Sequence, residues 1–187
     1  MTMPNRHHVS PPFLHLQYQR MEITLDQLLA SREHRHEKQM ALLSDHPALT
    51  LVCLTVIMPG AEKRNSHSLI VANAAMTAVL ECFRGTLVDV VANDLITGYE
   101  AYFVTRLDKL QAKQMTCEIE DNHPLGRLFD LDVIAANGSP ISRQEVGQLP
   151  RKCLLCDNEA RYCMRNHTHT HDELQAHISQ MIDQYVQ

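Results

Sequence analysis

Residues 128–135 read LFDLDVIA, and Asn137-Gly138 follow closely. Side chains on a strand alternate between its faces. Phe129, Leu131 and Val133 therefore enter a core, while Asp130 and Asp132 emerge together on the other face. Asn-Gly suits the two-residue turn of a hairpin, so the spacing predicts a return strand beginning at Ile141. Upstream, LTLVCLTVI (49–57) is short, continuous and rich in β-branched residues, as in a buried central strand ended by Pro59-Gly60. TLVDVVA (86–92) and EAYFVTR (100–106) read as two more strands.

Helical patterns fall between the strands. Thr24 with Gln27 three residues on is a capping box for a helix over 24–44, and Asp45-His46-Pro47 stops it. A second helix opens at Asn65 or Ser66, with Gly85 after its end. Residues 107–121 favour a third. Asp172 opens a last one, with Leu174, Ile178, Met181, Ile182 and Tyr185 facing inward. Interspersed helices and strands give an α+β class: a single domain with a mixed, largely antiparallel sheet flanked by helices. Residues 1–20 read as a disordered leader and 21–148 as the catalytic domain. Residues 149–187 form a Cys/His-rich, otherwise irregular segment and a C-terminal helix packed on the same domain.

The 187 residues are 44% hydrophobic with a net charge of −5, ordinary for a soluble globular chain. That balance gives no reason to expect nucleic acid as a partner. No run is apolar over the roughly 20 residues that a membrane span needs. Six cysteines without a secretory signal point to a reducing, cytoplasmic setting.

Two carboxylates side by side repel unless a cation lies between them. Mg²⁺ meets that need where a substrate carries phosphates, so Asp130 and Asp132 are candidate Mg²⁺ ligands; a solvated strand face fits the same spacing. Arg127 can grip a phosphate oxygen, and Gly126 allows a close backbone approach. In the first helix, Arg32, His36 and Gln39 fall between the two apolar ends of one stripe, with Arg35 beside them. That marks a polar cleft at mid-helix, suited to phosphate. Cys153, Cys156 and Cys163, followed by His167, His169 and His171, offer three thiolates and an imidazole, here His169, for a structural Zn²⁺. Reduced cysteines beside a solvated loop are the plainer reading. Arg151, Lys152, Arg161 and Arg165 offer a basic surface to an acidic protein partner.

The runs SREHRHEKQ (31–39), HPLGRLFDLDV (123–133), ISR (141–143) and LPRKCLLCDNEARYC (149–163) resemble the apo-citrate lyase phosphoribosyl-dephospho-CoA transferase family, also called citrate lyase holo-acyl-carrier-protein synthase. The resemblance runs from about Leu25 to the C-terminal helix. It implies that a serine hydroxyl of the acyl carrier subunit of citrate lyase attacks the α-phosphate of triphosphoribosyl-dephospho-CoA, and pyrophosphate leaves. That is nucleotidyltransferase-type chemistry, and it suggests a nucleotidyltransferase-like fold with Asp130 and Asp132 as the matching acid pair. Gly126-Arg127 stands where nucleotidyltransferases carry a Gly-Ser pair. On this reading Arg127, Arg32, Arg35 and Arg143 stabilise the leaving group, and His36, Gln39, His123 and Gly126 position substrate. Asp89 and Asp94 are candidates for a third carboxylate. Two alternatives are another Mg²⁺-dependent nucleotidyltransferase and a zinc-stapled, non-enzymatic adaptor for the carrier protein.

Overall fold

Thr24 starts the first helix, α1 (Leu25–Asp45), as its spacing predicts. Its side chain accepts from the Gln27 N–H at 3.2 Å, and the Gln27 side chain accepts from the Thr24 N–H at 2.9 Å. These facts come from a computed structural model that describes residues 22–187; the leader read in residues 1–20 lies outside them. After Pro47 the chain enters β1 (Thr50–Val56). Asn65 and Ser68 form a second capping box for α2 (Ser66–Cys82), and Gly85 turns the chain beyond it with φ +80°. Next come β2 (Leu87–Leu95) and β3 (Gly98–Thr105), a hairpin, and then α3 (Lys109–Asn122), capped by Asp108. A 3-10 turn, Gly126–Leu128, leads into β4 (Phe129–Ile134).

The strand order is β2-β3-β1-β4, and each pairing is antiparallel. Period-two alternation assigns the two faces. Val52 and Leu54 of β1, Ala101 and Phe103 of β3, and Phe129, Leu131 and Val133 of β4 pack against α2, α3 and the C-terminal helix. Phe83, Phe103 and Phe129 are fully buried there, each worth roughly 1.5–3 kcal/mol of transfer free energy. Leu51, Cys53, Tyr102, Val104 and Ile134 face the other way, onto Leu42 of α1. The molecule is thus three layers, α1 against one sheet face and the remaining long helices against the other.

Four sequence expectations change. No return strand follows Asn137-Gly138: Ile134 and Pro140 form a single bridge. Pro140 has no N–H to extend a ladder. Ser142 then caps a 3-10 turn, Arg143–Val146, through a box with Glu145. The segment after Leu149 is not wholly irregular, because it contains a short helix, α4 (Ala160–Asn166). The cap of the last helix, α5 (His171–Tyr185), is Thr170 paired with Glu173 rather than Asp172. Of its predicted inward residues, Ile178 and Ile182 are buried, whereas Tyr185 is 41% exposed. Among the described residues no helix is long and apolar enough to cross a membrane.

Candidate active site

The acid pair sits on the edge strand of the sheet, and that edge is closed by other groups. The Phe129 N–H donates to the Gly126 carbonyl. The Phe129 carbonyl accepts from Arg151 Nη2 at 2.7 Å. The Leu131 N–H donates to Glu120 Oε1 at 2.9 Å, and the Leu131 carbonyl accepts from Lys113 Nζ at 3.2 Å. The Val133 carbonyl accepts from the Ile141 N–H at 2.7 Å. Edge carbonyls and N–H groups need such partners when water is excluded. Here most come from α3 and from the strap carrying Arg151. Lys113 and Glu120 are both buried, so α3 presents one charge of each sign to the β4 backbone.

With the backbone held this way, Asp130 and Asp132 project from the same face of β4, as the alternation predicts. Thr55 lies opposite Asp130 and Cys53 opposite Asp132 on β1. Thr55 Oγ1 donates to Asp130 Oδ2 at 3.3 Å, and the Asp130 side chain remains 47% exposed. Asp132 is more enclosed. Burial, and then the neighbouring Asp130 charge, raise its carboxyl above the ordinary range, against the pull of Lys113, Arg151 and Arg35. Burial pushes the Cys53 thiol beside it to about 12, so Cys53 packs as a neutral group rather than a nucleophile.

One strand further along the same row is Glu100, opposite Thr55 on β3. Its buried carboxylate receives Arg35 Nε at 2.9 Å, Tyr102 OH at 2.8 Å and Ser31 Oγ at 3.4 Å. Glu100 is therefore a further acid on this sheet face, two strands from the pair. Asp89 and Asp94 belong to β2, at the far edge, where they face His46 and Arg64.

A cavity of about 1060 Å³ opens along β4, bounded by α3, the turn after Ile141, the segment around Arg151 to His171, and α5. Asp130, Asp132, Arg127, Arg143, Arg151 and Lys113 all line it. Arg127 donates to the Lys152 carbonyl. Burial and the adjacent Arg151 charge lower its affinity for a proton, a sign of cations crowded together. Arg143 is committed to acids, with Nη1 on Glu120 at 2.9 Å and Nη2 on Asp121 at 2.5 Å. Arg151 reaches Asp130 Oδ1 at 3.7 Å and Glu120 at 3.8 Å; its Nε is buried without a hydrogen-bond partner.

The remaining residues singled out from sequence lie elsewhere. Arg32 and His36 are exposed and line a separate shallow depression on α1. The inward face of α1 runs instead through Leu28, Ser31, Arg35, Gln39 and Leu42, and Leu25 and Leu29 are exposed. Arg35 can turn inward because Glu100 neutralises it. Gln39 also faces inward, where it opposes the rise in the Cys53 pKa. Gly126 packs against α3, where an added Cβ would lie 2.4 Å from the Glu120 carbonyl oxygen and 2.7 Å from that of Ile119. His123 packs, tilted, between Phe129 and Tyr185, with centroids at 4.9 and 5.5 Å, and its Nδ1 accepts from the Leu125 N–H. Both hold the approach to β4 in place rather than facing the cavity. Sequence reasoning missed Lys113, Glu120 and Glu100, and it read Arg151 as part of an outer basic surface. Lys152, Arg161 and Arg165 of that surface group remain exposed, Arg161 at the rim of the cavity.

The cavity, its acid pair and its ring of cations lie within residues 23–185, and that stretch matches the family described as apo-citrate lyase phosphoribosyl-dephospho-CoA transferase. The chain belongs to this transferase family. It is 42% identical over 170 residues to a probable apo-citrate lyase phosphoribosyl-dephospho-CoA transferase of Vibrio cholerae serotype O1, covering 88% of this chain and 94% of the relative. A similarly named protein of Streptococcus pyogenes serotype M18 is 35% identical over 173 residues, 87% of each. The transferase sequence also matches Protein CitXG of Haemophilus influenzae, 37% identical over 156 residues, which are 82% of this chain and 33% of that longer protein.

Proposed function

We propose that this chain transfers the phosphoribosyl-dephospho-CoA group from triphosphoribosyl-dephospho-CoA to a serine of the acyl carrier subunit of citrate lyase, in the cytoplasm, releasing pyrophosphate. The observation that carries the reading is the acid pair of β4 beside Arg127, Arg151 and Lys113 in one cavity, in a chain of this transferase family. The serine Oγ–Pα bond forms, the bond from Pα to the bridging oxygen of the pyrophosphate breaks, and the serine proton leaves to a carboxylate.

The donor set suits Mg²⁺: two carboxylates on one strand face, one of them raised by burial and by the other's charge. Asp130 and Asp132 would hold the ion, which when bound neutralises phosphate oxygens. Asp130, the more open acid, takes the serine proton. Arg127 and Arg151 face the charge that develops on the departing pyrophosphate, with Lys113 behind them. Arg143, already saturated by Glu120 and Asp121, steadies the wall. Mass spectrometry of the carrier subunit, incubated with the protein, the precursor and Mg²⁺, tests the reading. The wild type should give a covalent mass gain with one pyrophosphate per transfer. Asp130→Asn should slow this by about 100-fold or more. Transfer at the wild-type rate by a folded Asp130→Asn protein would overturn it.

A further inference from the structure

The segment between β4 and α5 lacks a core of its own. Between Leu149 and Thr170 the only buried residue is Cys163, while Leu149, Tyr162 and Met164 are 81%, 57% and 72% exposed. Yet this segment carries Arg151 to the β4 backbone and walls the cavity. Leu154 alone packs, partly buried, against the main core, so apolar burial contributes little to holding it.

Four ligand-bearing side chains converge inside it. One ligand atom from each of Cys153, Cys156, Cys163 and His169 lies within 4.8 Å of the others. Cys156 Sγ is 3.5 Å from Cys163 Sγ, and His169 Nε2 is 3.3 Å from Cys156 Sγ. A disulfide would bring two sulfurs to about 2.05 Å, and all six cysteines are free. Around one Zn²⁺ with bonds of about 2.3 Å to sulfur and 2.0 Å to nitrogen, tetrahedral edges come to roughly 3.5–3.8 Å. The 3.5 and 3.3 Å spacings sit close to that, and the whole set, within 4.8 Å, needs only a small contraction to meet it.

The backbone is shaped for the same purpose. Cys153 and Cys156 lie on a tight loop in which the Leu155 N–H donates to Cys153 Sγ at 3.5 Å, and the Cys153 N–H closes the loop onto the Asn158 carbonyl at 2.7 Å. Lys152 and Glu159 bridge at its base. Cys163 comes from α4. His167 ends that helix with φ +47°, and the chain folds back so that His169 returns over the sulfurs.

We propose that Cys153, Cys156, Cys163 and His169 bind one tetrahedral Zn²⁺, which holds the strap carrying Arg151 against the cavity. Three thiolates and one imidazole select zinc over oxygen-loving Mg²⁺. Binding releases the thiol protons to solvent. With no open coordination position the ion is structural. The inference is independent of the acid pair, because its readouts are metal content and strap order rather than transfer.

The untagged full chain, purified without chelators, should carry close to one zinc per chain after dialysis, measured by plasma mass spectrometry. A mercurial thiol reagent should release it, and trypsin should then cut after Lys152 and Arg161, sites protected beforehand. Cys156→Ser should lose the metal, and Cys82→Ser, in α2, should keep it. If Cys156→Ser does not fold, Co²⁺ exchanged into the wild type should give the intense bands of a tetrahedral thiolate site. Less than about a tenth of an equivalent of zinc with unprotected strap sites, or a weak octahedral cobalt spectrum, would overturn the proposal.

Discussion

Replacing Glu120 by alanine tests how the acid-bearing strand is held. The carboxylate accepts the Leu131 N–H at 2.9 Å and Arg143 Nη1 at 2.9 Å, and it lies 3.8 Å from Arg151. Its residue is 3% exposed. Glu120→Ala leaves an edge N–H without an acceptor, at about 1–3 kcal/mol. It also strips a buried counter-charge from two guanidiniums; breaking such a pair costs about 3–5 kcal/mol, and the two effects overlap. A net loss of about 3–5 kcal/mol is expected, because Asp121 still partners Arg143. Glu120→Gln keeps an oxygen for the Leu131 N–H and should lose less. Urea unfolding with the slope unchanged measures both. A double-mutant cycle with Arg143→Met should show coupling above about 1 kcal/mol. If alanine costs under about 1 kcal/mol, or equals glutamine, the carboxylate does not hold β4 and the account of the edge is wrong.

Gly126→Ala places a methyl against two α3 carbonyl oxygens, neither of them a flexible side chain, and should cost about 1–3 kcal/mol in the same unfolding assay. Arg151→Met should slow transfer by about 100-fold in a carrier-loading assay, with little change in zinc content. Burial lowers the His123 pKa below its ordinary 6.5. The unfolded chain then binds the extra proton first, so stability falls as pH drops below 6.5 and levels off beneath the lowered folded value. Thermal melts across that window should lose this acid-side fall in His123→Phe.

The parts of the fold legible in the sequence were those decided within a few residues. Thr24 with Gln27 marks a helix start because both partners are local. The alternation in LFDLDVI places two acids on one face because strand geometry alone dictates it. The four candidate zinc ligands were named from residue type and spacing, and their side chains do converge. What escaped was decided at long range. Arg35 rather than Arg32 turns inward because Glu100, 65 residues away, is there to meet it. Lys113 and Glu120 read as ordinary helix residues until α3 lies along β4. Asn137-Gly138 does turn the chain, but Pro140 and the Ser142–Glu145 cap outweigh the hairpin signal.

The closed margin of β4 constrains how a protein substrate can be recognised. An incoming polypeptide cannot add a strand at the β4 edge, beside the acid pair, since the hydrogen-bonding positions it would need there are already taken by Glu120, Lys113, Arg151 and Ile141. The acceptor must instead present its serine end-on, as a loop or helix tip read by side chains. The same plugging guards this edge of the folded molecule against edge-to-edge self-association.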